Sequence, residues 1–142
     1  MRQDVIKAGP DHPALLEMFR AEGVEFDDPV SMMWREVDGD LVGGFAWSHY
    51  TGDTIQVHIV GVPGRWMNRE ITRRSFTYPF LQLRVKVILA FLPENRVAAH
   101  KVALGMGFKQ SGFIPGVNVN MLTLVRQDCE RWLALPSRGS NG

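Results

Sequence analysis

The sequence predicts an α/β (α+β) fold: a mixed, mostly antiparallel sheet of six to seven strands flanked by helices. Three observations predict it. Short runs rich in β-branched and aromatic residues, such as residues 85–92, recur between Gly, Pro and Asp turn signals. Segments of helical periodicity separate some of them, as where Leu15, Met18 and Phe19 stand at i, i+3 and i+4. Read in order, the elements run β-α-β-β-β-α-β-α-β-β-α, which inserts helices into runs of adjacent strands.

Residues 5–8 read as the first strand and residues 11–21 as a helix. Asp11 is placed to cap that helix, and Pro13 suits its first turn. Residues 22–29 form an acidic loop with Glu25, Asp27 and Asp28. Residues 33–37 and 41–50 are strands joined by Asp38-Gly39-Asp40, which has hairpin chemistry. Thr51-Gly52-Asp53 turns the chain into a strand over 54–61, and Gly61-Val62-Pro63-Gly64 breaks the sheet pattern. A helix follows from Trp66 or Asn68 to Tyr78, where Pro79 disfavours helical geometry. Residues 85–92 read as a buried strand. Asn95 is the expected N-cap of a helix reaching Met106, with Gly107 as its stop. Residues 108–114 and 117–125 are the last two strands, and 126–135 a short final helix. Residues 1–135 read as one domain, and the polar Gly/Ser-rich stretch 136–142 as a disordered tail.

Composition narrows the function classes. The chain of 142 residues is 45% hydrophobic and 22% charged, as soluble globular domains are. No apolar run approaches the roughly 20 residues that span a bilayer. The N-terminus lacks the apolar core of a signal peptide, so a cytoplasmic protein without membrane contact is expected. A net charge of +1 argues against a general nucleic-acid binder. The single cysteine, Cys129, excludes an internal disulfide and a CxxC metal clamp, and it reads as a packing thiol; no metal is expected.

Two clusters stand out. Strand alternation divides the hairpin around Thr51-Gly52-Asp53 into two faces. Phe45, Trp47, His49, Ile55, Val57 and Ile59 form one, which reads as core; Ser48, Tyr50, Gln56 and His58 form the other, which reads as polar. A one-residue slip would exchange the faces and bring His49 forward. His58 is the candidate general base, because imidazole titrates near neutrality, and Tyr50 is a second candidate as orienter or acid. The competing reading of His58 is a partly buried histidine bonded across the sheet. The second cluster is basic. Arg65, Arg69 and Arg73 are spaced i, i+4, i+8, which lines them along one helix face. Cations in a first helical turn oppose the helix dipole, and a bound phosphate would offset that. Alternatively the arginines are solvated or pair with Glu70 and the acidic loop.

The most telling stretch is Asn-Arg-Val-Ala-Ala-His-Lys-Val-Ala-Leu-Gly-Met-Gly-Phe-Lys-Gln-Ser-Gly-Phe, residues 95–113. It follows the apolar run 85–92. This order of strand, Asn-started helix, Gly-Phe and strand resembles the C-terminal half of the Gcn5-related N-acetyltransferase (GNAT) superfamily, and the resemblance covers about residues 30–125. It implies a GNAT fold, acetyl-CoA as co-substrate, and direct attack by a primary amine. It also implies that Asn95 contacts the pantetheine or phosphate arm, and that the backbone at Ile59, Val60 and Gly61 pairs with the cofactor's amide arm. The family's pyrophosphate loop, Arg/Gln-x-x-Gly-x-Gly/Ala, falls on residues 65–70, which assigns Arg65, Trp66, Met67, Asn68 and Arg69, with Arg73, to coenzyme A. Asn68 and Glu70 replace the loop glycines, and Ala103 stands where the family often has a tyrosine acid. These departures leave a second reading, a catalytically inactive GNAT-fold binding or structural module. The Arg/Trp-rich loop and Tyr78-Pro79-Phe80 resemble acetyltransferase-like proteins of tailed phages, which would admit the host cytoplasm or the virion as location. Dimers are common in the family.

Overall fold

A two-residue turn sets the first strand register. Asp38 (φ 51°) and Gly39 (φ 86°) both adopt left-handed backbone, as a twisted hairpin turn of this type requires. It joins β2 (Ser31–Val37) to β3 (Asp40–Ser48) with Val37 opposite Asp40. The computed structural model describes residues 3–27, 30–62 and 64–133. Asp28 of the acidic loop, the end of the final helix and the predicted tail lie outside the described residues. The other strands are β1 (Asp4–Pro10), β4 (Thr54–Gly61), β5 (Val87–Pro93), β6 (Lys109–Ile114) and β7 (Val119–Val125). The helices are α1 (Pro13–Ala21), α2 (Arg69–Thr77), α3 (Val97–Met106) and α4 (Glu130–Leu133). The seven strands are ordered β1-β2-β3-β4-β5-β7-β6, so the expected mixed, mostly antiparallel architecture is the one formed. Among the described residues no helix is long and apolar enough to cross a membrane.

Two compact units share the chain. One is the chain up to Ser48 together with Val57–Ile71; the other is His49–Gln56 together with the chain from Thr72 onward. In the first, β1 pairs antiparallel with β2, and β2 with β3. Leu15 and Phe19 of α1, almost fully buried, pack against Met32, Trp34, Ala46 and Val60. Asp11 does not cap α1. His12 does, its Nδ1 accepting from the Leu15 N–H at 3.1 Å, while the Asp11 carboxylate accepts from the Val30 N–H at 3.5 Å. Pro13 opens the helix as expected.

In the second unit, β4 pairs with β5 in parallel from Thr54 to Gln56, β5 pairs antiparallel with β7, and β7 with β6. Helix α2 ends at Thr77. Pro79 has no N–H to continue the ladder, and the chain passes into a π-helical turn, Tyr78–Gln82, closed by Leu83 N–H donating to the Tyr78 carbonyl at 3.0 Å. The expected cap at Asn95 shifts by one residue: Arg96 N–H closes a turn onto the Pro93 carbonyl (2.9 Å), so the helix begins after Arg96, and Asn95 is exposed.

Gly107 stops α3 as predicted. Its φ is 113°, Phe108 N–H donates to the Ala103 carbonyl, and Gly107 N–H to the Leu104 carbonyl, both at 3.1 Å. A Cβ at Gly107 would meet the Asp128 carbonyl oxygen at 2.8 Å, so glycine is required for packing as well as for backbone angle. Arg131 and Trp132 of α4 satisfy the last α3 carbonyls, donating to Gly105 (2.8 Å) and Met106 (3.1 Å). Cys129 is buried, and desolvation, with Glu130 adding to it, pushes its thiol up to about 12, which makes it an inert packing group.

Candidate functional site

The loop between β4 and α2 is built from below. Residue 35 sits in an otherwise apolar strand, and its side chain is 7% exposed. A buried guanidinium must have partners, and Arg35 has four. Its Nε and Nη2 donate to the two carboxylate oxygens of Asp4 at 2.8 and 2.6 Å. Its Nη1 donates to the carbonyls of Arg65 (3.0 Å) and Trp66 (2.9 Å). The hydrogen bonds it donates to Asp4 raise the Arg35 pKa, against the opposing effect of desolvation, so the group stays charged. Sequence reading passed over Arg35 and Asp4. Their signal was a charge on a buried strand, two residues along the register from an acidic partner on β1.

Trp66 fills the space above. It is 6% exposed, and its ring lies 5.2 Å from that of Phe45. Two glycines make room for it. A Cβ on Gly43 would meet the ring at 2.7 Å, and one on Gly61 would lie inside the contact distance of the ring. The Trp66 side chain is therefore core. Met67 is half-buried. Asn68 caps α2, its Oδ1 accepting from the Ile71 N–H at 2.8 Å. The residue standing where a loop glycine was expected thus starts the helix.

The predicted arginine line is shorter than helical spacing implied. Arg69 and Arg73 are in α2, but Arg65 lies in the preceding turn, its N–H donating to the Val62 carbonyl at 3.0 Å. The turn before Asn68 interrupts the helical periodicity that the spacing assumed. Arg65 and Arg69 are exposed, and Arg73 is half-buried. Glu70 sits in the first turn of α2, where a carboxylate favours the helix dipole. Of the predicted strand residues, Val60 is buried with the α1 cluster, Ile59 is half-buried, and Gly61 lies beneath Trp66.

The predicted base is in the same unit. Ser48 Oγ and His58 Nε2 are 2.9 Å apart, which puts both on one face as the alternation required. That face is not purely polar, because α1 covers it. Phe26 of the acidic loop packs edge-on to the His58 ring at 4.9 Å, and Phe19 at 6.5 Å. The acidic loop and His58 therefore share one neighbourhood, with Glu25 engaged by Arg20 at 3.3 Å. His49 ends outside β3 with φ 54° and is exposed. Tyr50 is 54% exposed, and its hydroxyl donates to the Leu83 carbonyl at 3.3 Å. His100 is half-buried, with Nδ1 at 2.7 Å from the Arg96 carbonyl and Nε2 at 2.9 Å from Asn120.

The glycine–tryptophan contact makes a direct prediction. Gly61→Ala forces the Trp66 ring to move and should cost about 1–3 kcal/mol, the usual range for overpacking. In Gly61→Ala/Trp66→Ala the two losses should be less than additive in denaturant melts, because the second change removes the clash.

Neither protein-family models nor curated protein sequences match the chain. Solved structures do. The N-acetyltransferase PseH of Campylobacter jejuni in complex with acetyl coenzyme A is similar at TM-score 0.64 and 13% identity, over 86% of this chain and 99% of that one. A variant of the spermidine/spermine N-acetyltransferase SpeG of Vibrio cholerae gives TM-score 0.67 and 15% identity, over 91% of this chain and 98% of that one. A GNAT-family acetyltransferase from Bacillus anthracis gives TM-score 0.56 and 15% identity, over 68% of this chain and 66% of that one. With its strand order, its helices and these likenesses, the chain has the fold of the Gcn5-related N-acetyltransferases.

Proposed function

We propose that this protein binds acetyl-CoA and transfers its acetyl group to a primary amine. The observation that supports this most is the β4–α2 loop. It leads into a side-chain-capped helix start, with exposed Arg65 and Arg69 beside it. Helix-start N–H groups and the helix dipole favour an anionic diphosphate, and arginine forks suit phosphate oxygens. Arg65, Arg69, Arg73 and the backbone of residues 66–68 would hold the diphosphate and 3′-phosphate. The backbone of Ile59, Val60 and Gly61 would hold the amide arm, and Asn95 would contact the pantetheine or phosphate arm. PseH, which shares the fold, was solved with acetyl coenzyme A.

In the reaction the amine nitrogen attacks the acetyl carbonyl carbon, the carbon–sulfur bond breaks, and coenzyme A leaves as thiolate. His58 takes the proton that the nitrogen gives up, with Ser48 orienting its ring, and Tyr50 is a candidate donor to the thiolate. The acidic loop beside His58 suits a cationic acceptor. One observation favours the inactive reading. Ala103, at the position where the family often has a tyrosine acid, is 2% exposed and carries no proton to give.

Isothermal titration tests the cofactor. Coenzyme A should bind, and the Arg65→Ala/Arg69→Ala variant should bind it at least about tenfold more weakly. A wild-type chain that binds no coenzyme A would sink the proposal. Thiol release over a panel of polyamines and amino sugars tests the chemistry. There His58→Ala should lose about 100-fold or more in kcat with coenzyme A affinity unchanged. Full activity in that variant removes His58 as base, and no thiol release with any amine favours the inactive module.

A further inference from the structure

From the four bonds of Arg35 we infer that it is the positioning residue of the cofactor loop: with Asp4 it locks the backbone of residues 65–67 so that the amides of Trp66 and Met67 face the coenzyme A diphosphate. This inference rests on the cofactor reading above. Peptide units are planar and trans, so the N–H that follows a carbonyl points the opposite way. Arg35 holds the carbonyls of Arg65 and Trp66. The N–H groups of Trp66 and Met67 must therefore point away from Arg35, toward the outer side of the loop. In glycine-rich phosphate loops the backbone can approach the ligand closely because it lacks side chains. Here two side chains do the corresponding work from inside. Arg35 fixes the carbonyls, and Trp66, seated on Gly43 and Gly61, removes its own bulk from the outer surface. Asn68 then carries the chain into α2.

The role is geometric. Asp4 engages both Nε and Nη2 and neutralises the guanidinium, so Arg35 adds little net attraction for phosphate. A lysine would keep the charge and lose the fork, since one ammonium cannot span a carboxylate and two carbonyls in this planar arrangement. Arg35→Lys should therefore fail to restore function, whereas a role in bulk charge would be restored by it.

Two readouts on the full chain test this: coenzyme A affinity by titration, and amide hydrogen exchange in ligand-free protein by NMR. In Arg35→Met and Arg35→Lys, coenzyme A should bind about tenfold or more weakly. The bonded amides of Arg65 and Ile71 should exchange about tenfold faster, with those of β5 and β7 unchanged. Asp4→Asn, at a part-exposed position, should give the same pattern at about threefold and serves if Arg35→Met does not fold. Wild-type affinity in these variants, wild-type affinity in Arg35→Lys alone, or faster exchange throughout the chain would each overturn the assignment. A wild type that binds no coenzyme A is a different failure, read before any variant is made, and it defeats the cofactor reading itself.

Discussion

The Arg35–Asp4 pair is the constraint on which the β4–α2 region depends. Every bond that the guanidinium makes is spoken for, two to a carboxylate and two to consecutive loop carbonyls. Removing one partner of a buried ion pair typically costs about 3–5 kcal/mol, while replacing both with apolar groups is often neutral. Asp4 is 29% exposed, so its own removal falls at or below the low end of that range. The pair is thus a weak device for stability and a strong one for geometry. It joins the first strand of the chain to a loop some sixty residues later and dictates which way the peptide units of that loop face.

The same geometry shapes a loop that lacks the glycines of the GNAT pyrophosphate motif. Asn68 replaces one glycine and spends its side chain on capping α2. Glu70 replaces another and sits in the first helical turn, where the dipole stabilises it. Gly43 and Gly61 lie underneath the loop, where they admit the Trp66 indole. On the opposite face, His58 gains a hydroxyl partner and two aromatic edges from a helix and an acidic loop. In the proposed role of base, a ring held this way would be oriented before an acceptor arrives, which is what positioned proton transfer requires.

Local chemistry made most of the fold legible. The Asp-Gly turn needs left-handed backbone, Gly107 needs it too, and Pro79 cannot extend a helix; each of these acts through a single residue and its neighbours. Alternation put Ser48 and His58 on one face, but His49, assigned to the core face, leaves the strand with left-handed backbone and is exposed. The misses were non-local. Asn95 and Asp11 are good caps by residue type, but a turn onto Pro93 and a bond to Val30 moved the caps to Arg96 and His12. The polar face around His58 is covered because α1 packs there, which alternation within two strands cannot reveal. Arg65 kept helical spacing with Arg69 and Arg73 without being helical. Arg35 and Trp66 acquire their meaning from partners that include residues about thirty and twenty positions away, which local pattern does not display.

The most direct test of this account is an NMR titration of the wild-type protein with coenzyme A, following backbone amide shifts. Locked peptide units facing a diphosphate predict that the largest shifts fall on Trp66 and Met67, with smaller ones at the first turn of α2. Largest shifts confined to other parts of the chain, with the amides of residues 66–67 unmoved at saturation, would contradict it.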